Sequence, residues 1–162
     1  MDQLNRIINK IYTTDSIQSK IAQWRFKNEK IVFSNGCFDI LHRGHIEYLA
    51  QAADFGARLI IGLNSDTSVR RIKGNDRPLQ DQVSRSILLA ALSFIDAVIV
   101  FDEDTPYELI KNVKPDFLVK GNDYKAEDIV GYDIVKQNGG DVITIKLVEG
   151  YSTSSIVKRM NQ

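Results

Sequence analysis

Five short apolar runs recur along the chain: KIVFS (30–34), RLIIGL (58–63), AVIVF (97–101), DFLVK (116–120) and DVITIKL (141–147). Each is mostly Ile, Val, Leu or Phe instead of alternating with polar residues. Strands buried on both faces of a parallel sheet read this way. The segments between them have helical spacing. HIEYLAQAADFG places Ile46, Leu49, Ala50 and Ala53 on one face and offers Gly56 as a stop. QVSRSILLAALSFI is a second amphipathic stretch, and TPYELIKNV offers Thr105 as N-cap with Pro106 at the first helical position.

Strands alternating with helices require right-handed crossovers. The expectation is an α/β fold: a Rossmann-like, doubly wound, mainly parallel five-stranded sheet with helices on both faces. Residues 1–29 (LNRIINKIY, then SIQSKIAQWRF) are helical by spacing and form an N-terminal extension, either an extra helical layer or a dimer contact. With 162 residues and no linker or repeat, the chain 1–162 reads as a single domain with its core at 30–160.

Charge narrows the partners. Lys plus Arg and Asp plus Glu both number 21, so the formal net charge is zero. That disfavours a general nucleic-acid coat or a polybasic membrane anchor. No apolar run approaches the roughly 18 residues a bilayer span needs. MDQLNRIINKIY carries polar residues where a signal peptide has its apolar region. The lone Cys37 cannot form an internal disulfide. A cytoplasmic protein with no nucleic-acid or membrane partner is expected.

The stretch NGCFDILHRGHIEYL (35–49) lies where the first strand gives way to a helix, and it holds both histidines of the chain. In open α/β sheets ligands sit at the carboxyl ends of the strands, where helix N-termini present backbone N–H groups. Gly36 allows a tight turn there, and Gly44 leaves room against the helix start. His42 and His45, at i and i+3, share one side of the first helical turn and can donate to the same anion, phosphate above all. A zinc site would need Cys37 or Asp39 as a third ligand and lacks the HExxH context, so no metal ligation is expected.

Further groups fall at the same edge. Asn64, Ser65 and Asp66 end the second strand, and Arg70, Arg71, Lys73, Arg77 and Arg85 follow. On a loop at the ligand edge such cations would serve an anionic substrate. LVKGNDY (118–124) ends the fourth strand with Lys120. GYSTSSIVKRM (150–160) puts Ser152, Thr153, Ser154 and Ser155 at a helix start, where they can cap it and offer N–H and O–H groups to phosphates.

The pattern GxFDxxHxGH, running here from Gly36 to His45, resembles the signature of the cytidylyltransferase-like nucleotidyltransferases. In that superfamily the HxGH element binds a nucleotide triphosphate and stabilises the transition state. NGCFDILHRGH, GLNSD, RIKGNDRP, DEDTP, LVKGNDY, NGGDV and YSTSSI, spread over 30–160, are most similar to the D-glycero-D-manno-heptose 1-phosphate adenylyltransferases. Glycerol-phosphate cytidylyltransferases share HxGH but normally lack DEDTP and carry a longer, arginine-containing lead where this chain has VEGYSTSS. They, the FAD and pantetheine-phosphate classes, and a non-catalytic nucleotide-binding module are the alternatives.

The resemblance implies transfer of AMP from ATP to a sugar 1-phosphate, a heptose 1-phosphate, giving ADP-heptose and pyrophosphate for lipopolysaccharide or another surface glycan. Mg²⁺ would be carried by ATP, and the protein would be a homodimer with 30–160 as its catalytic core. His42, His45, Lys120 and Lys73 would be catalytic. Asn35, Gly36, Cys37, Phe38, Asp39, Gly44, Gly121 and Asp123 would join Ser152, Thr153, Ser154 and Ser155 around the nucleotide. Asn64, Asp66, Arg77 and Arg85 would meet the sugar phosphate beside Lys73. No covalent nucleophile is needed, and Cys37 reads as structural.

Overall fold

All five apolar runs become strands, and the N-terminal extension adds a sixth. The computed structural model describes residues 2–123, 125–148 and 150–160. In chain order the elements are α1 (Gln3–Ile8), β1 (Ile11–Tyr12), α2 (Gln18–Phe26), β2 (Ile31–Gly36), α3 (Arg43–Ala53), β3 (Arg58–Asn64), α4 (Asp66–Lys73) and α5 (Gln82–Ala90). After these come β4 (Ala97–Phe101), α6 (Tyr107–Val113), β5 (Phe117–Gly121), a 3₁₀ turn (Ala126–Asp128), α7 (Tyr132–Gln137), β6 (Asp141–Ile145) and α8 (Thr153–Met160). The sheet order is β1-β4-β3-β2-β5-β6, and every pairing is parallel.

The expected five strands are thus corrected to six. The helical spacing of LNRIINKIY stops at Ile8, with Asn9 as C-cap. Ile11 and Tyr12, β-branched and aromatic, then extend and pair with Val98 and Ile99 of β4. The extension is no appendage. Ile17, Ile21 and Trp24 are at most 5% exposed and pack with Ile31, Phe33, Ile99 and Ile110 on one face of the sheet. Val32, Leu59, Ile61 and Val98 point to the other face and meet Leu49 of α3 and Leu89 of α5. Neighbouring residues of one strand feed opposite layers, which explains the continuous apolar runs.

Two local expectations change. Pro106, not Thr105, is the N-cap of α6, with no side-chain cap bond. The stretch after β3, read as loop, folds into α4, because Ser65 caps it by accepting from the Ser68 N–H at 3.0 Å.

Strand order reverses between β2 and β5. The β2–β3 ladder continues to Gly36 and Leu63, whereas the β2–β5 ladder ends at Phe33 and Leu118. Beyond that rung the two central strands fork, and the crevice opens there.

Candidate active site

A cleft of about 380 Å³ occupies the fork. Its walls are the end of β2 with the following turn, the first two turns of α3, Lys73 at the end of α4, the end of β5, and the segment leading into α8.

His42 is the N-cap of α3, and its Nδ1 accepts from the His45 backbone N–H at 3.3 Å. In the neutral ring that bond places the proton on Nε2. The His45 ring stacks on His42 with centroids 3.8 Å apart and planes 18° apart, and Phe38 meets His45 edge-on at 5.2 Å. Phe38 is held at φ 44°, a left-handed conformation that non-glycine residues rarely adopt. A Cβ on Gly44 would lie 3.1 Å from His42 Cε1 and from Tyr151 Cβ, so glycine is what lets the ring and the α8 lead close over the helix start.

Burial, with a smaller contribution from His42, pushes the His45 pKa down to about 4, opposed only in part by the Ile40 backbone. Burial also lowers that of His42. Both rings are therefore neutral at pH 7, each with one N–H available to donate. His45 Nδ1 is buried without a partner, as is Asn35 Oδ1 in the same cleft. Gln80 Oε1, outside the cleft, is the third such atom among the described residues.

Across the fork, Lys120 donates from Nζ to the Asn35 carbonyl at 3.1 Å. Its burial brings the pKa down to about 8, against the opposing effects of Asp123 and Cys37. A phosphate chain entering beside it would restore the charge fully. Burial pushes the Cys37 thiol up, away from nucleophilic thiolate, which supports its structural reading. At α8 the Ser155 N–H donates to Ser152 Oγ at 3.1 Å and the Ser152 N–H to Ser155 Oγ at 3.2 Å, a reciprocal cap.

The cleft gathers Asn35, Gly36, Cys37, Phe38, His42, Gly44, His45, Lys73, Lys120, Gly121, Asp123, Ser152 and Thr153. The remaining candidates lie elsewhere. Ser154 and Ser155 sit off the lining, the latter engaged in the cap. Asp39 is 6% exposed and accepts from Arg77 Nη1 at 2.9 Å, Leu79 N at 2.7 Å and Gln80 N at 3.0 Å. It fastens the loop before α5 to the histidine turn.

Arg85, expected on the acceptor phosphate, is 1% exposed. Its guanidinium donates to the carbonyls of Gln80 (2.9 Å), Cys37 (2.7 Å) and Asn64 (2.8 Å) and to Asp66 Oδ1 (2.7 Å). Asn64, 4% exposed, donates to Ser68 Oγ at 3.0 Å. Asn64, Asp66 and Arg85 therefore form a strut under the site, because the buried carbonyls of Cys37 and Asn64 need donors, while Arg77 is paired with Asp39. Only Lys73 of that group lines the cleft.

Sequence reasoning missed Tyr48, Leu147, Val148 and Tyr151, all in the lining. Tyr48 was findable, since it extends the three-residue spacing of His42 and His45. The other three arrive by the path of the chain after β6, which carries no local signal. Tyr124 of LVKGNDY and Glu149 of VEGYSTSS lie outside the described residues. Among the described residues no three of His, Cys, Asp and Glu are grouped to hold a metal, and no helix is long and apolar enough to cross a membrane.

A family model described as cytidylyltransferase-like matches residues 33–159. The bifunctional protein HldE of Wolinella succinogenes is 52% identical over 151 residues, covering 93% of this chain and 31% of that protein. HldE of Campylobacter curvus is 53% identical over 152 residues, 94% of this chain and 31% of its own length. The chain thus spans about 31% of the length of these curated relatives. Among solved structures, the lipopolysaccharide core biosynthesis protein from Thermoplasma volcanium GSS1 matches with a TM-score of 0.62 and 28% identity, over 76% of this chain and 99% of that one. Pantoate-beta-alanine ligase from Francisella tularensis, at 15% identity and a TM-score of 0.58 over 93% of this chain and 76% of its own, shares the fold.

Proposed function

The chain belongs to the cytidylyltransferase-like family, and we propose that it moves AMP from ATP to a sugar 1-phosphate, specifically a heptose 1-phosphate. The observation that carries this is the stacked pair of neutral histidines at the N-terminus of α3, facing Lys120 across the strand fork. The sugar phosphate oxygen forms a bond to the α-phosphorus, the bond from that phosphorus to the bridging oxygen breaks, and pyrophosphate leaves.

The protein contributes position and charge, with no covalent intermediate. His42 Nε2–H and the His45 ring donate to phosphate oxygens beside the first-turn amides of α3. Lys120 at the end of β5 and Lys73 at the end of α4 supply positive charge, and the Ser152–Thr153 start of α8 offers hydroxyl and amide donors. Mg²⁺ carried by the triphosphate would supply further charge neutralisation. Among the described residues Asp123 is the one carboxylate lining the cleft, so such an ion would be held mainly by phosphate and water.

The heptose assignment rests on the motif resemblance over 30–160 and on the similarity to HldE proteins and to a lipopolysaccharide core biosynthesis protein. A homodimer and a cytoplasmic setting, where ATP is supplied, belong to the same proposal. The test is a pyrophosphate-release screen of four nucleoside triphosphates against sugar and polyol phosphates. ATP with heptose 1-phosphate should give the highest kcat/KM, and a higher value for CTP with glycerol 3-phosphate would reject the assignment.

A further inference from the structure

The fork between β2 and β5 is bridged at successive levels by side chains. The last backbone rung pairs Phe33 with Leu118. One residue further, Ser34 and Val119 are joined through the Tyr48 hydroxyl, which donates to the Val119 carbonyl at 2.9 Å and lies 2.8 Å from Ser34 Oγ. A phenol has a single proton, so Ser34 must be the donor in the second bond. One residue further again, Lys120 Nζ reaches the Asn35 carbonyl at 3.1 Å. Beyond that, Gly36 and Gly121 border the open cleft.

Tyr48 is 7% exposed and Ser34 fully buried, so the bridge lies at the floor of the cleft, largely shielded from solvent. Tyr48 also lies on α3, three residues after His45. One hydroxyl thus ties the helix that carries the histidines to the strand that carries Lys120.

We infer that Tyr48 is a positioning residue: its Ser34–Tyr48–Val119 bridge sets the gap of the fork and so holds Lys120 at working distance from the histidine pair. This rests on the nucleotidyl-transfer reading for its kinetic consequence but not for its structural one. Tyr48→Phe keeps the ring and removes the bridge, leaving the Val119 carbonyl and Ser34 hydroxyl unpaired. The fork then relaxes, and water reaches Lys120.

Two readouts follow. The kcat for pyrophosphate release should fall between about tenfold and a hundredfold, with the KM for ATP changed by less than about threefold, because misplacement harms the reacting geometry more than ground-state binding. The Lys120 pKa, followed by NMR of isotope-labelled lysine in the free protein, should rise from about 8 toward the ordinary 10.5 as its burial is relieved. The other charged or titratable groups facing Lys120 are Asp123 beyond β5, Cys37 after β2, and His42 and His45 across the cleft, with Lys73 acting on Cys37; none of these is altered. Ser34→Ala, which keeps the bond to Val119, should show both effects more weakly, and it serves in place of Tyr48→Phe should the latter not fold. A folded Tyr48→Phe with only a lowered Tm, unchanged kcat and an unmoved Lys120 titration would overturn the inference. If wild type releases no pyrophosphate with any pair, the activity reading fails by itself, and the lysine titration alone decides the brace.

Discussion

His42 carries two tasks at once, capping α3 through Nδ1 and presenting Nε2–H to the cleft. His45 caps nothing; its backbone N–H is the capped group and its ring is the more deeply buried. Substituting each with alanine should therefore differ in a readable way. Both variants should lose on the order of 10²–10³ in kcat, with ATP affinity falling much less, as expected for a donor preorganised for the transition state. His42→Ala alone should also lose about 1 kcal/mol of stability, the usual cost of a missing N-cap, seen as a lowered Tm. Protonation gives a second test. His45 has its pKa depressed from 6.5 to about 4, so the unfolded chain binds more protons in that window. The stability it contributes is complete above pH 6.5 and is lost as pH falls toward 4. A pH series of Tm should show that slope, and His45→Ala should flatten it. Lys120 acts at the other end: its ammonium is lost as pH rises through about 8, so kcat/KM should decline there. Lys120→Met should remove this alkaline limb along with most of the activity.

Arg85 shows how an element-level role hides behind a residue-level signal. An arginine on a helix near the ligand edge reads as a phosphate clamp. Its guanidinium instead links the turn after β2, the end of β3, the start of α4 and the loop before α5. Arg85→Ala should cost about 3–5 kcal/mol of stability, because Asp66 and the carbonyls of Cys37 and Asn64 lose their buried partner. The KM for the sugar phosphate in whatever folds should stay near normal, which a saturation series at low temperature measures. The same limit governs the rest of the strut. Motif spacing placed His42, Gly44, His45, Lys120 and the Ser152 cap at strand and helix ends, because chain-local geometry puts them there. Asp39, Asn64 and Arg77 come equally close to the edge in sequence, but their partners are set by distant segments meeting: Asp39 takes the Arg77 guanidinium and the Leu79 N–H from about forty residues away, and the Asn64 carbonyl takes Arg85 from 21 away. No local pattern encodes that.

At the scale of the molecule, the five apolar runs specified the sheet because parallel strands buried on both faces leave an unmistakable apolar trace. The sixth strand was illegible: two residues, Ile11 and Tyr12, carry no periodicity and extend only because the β4 edge is there to pair with. The helical layer beside them supports the fold as much as any core helix. Trp24, 4% exposed and beneath the Arg58 guanidinium at 5.6 Å, should cost about 3–5 kcal/mol when replaced by alanine, measurable by chemical denaturation. That layer sits away from the cleft, so surviving activity in a folded Trp24→Ala should be close to normal. The central claim concerns the cleft, where two neutral histidines and a buried lysine face each other across forked strands. Its most direct test is mass-spectrometric product analysis of ATP incubated with heptose 1-phosphate, for wild type and for the His42→Ala/His45→Ala double variant. The account predicts ADP-heptose and pyrophosphate in equal amounts from wild type and at least a hundredfold less from the folded double variant. ADP or AMP without a sugar nucleotide, or product formation by the double variant within about threefold of wild type, would contradict it.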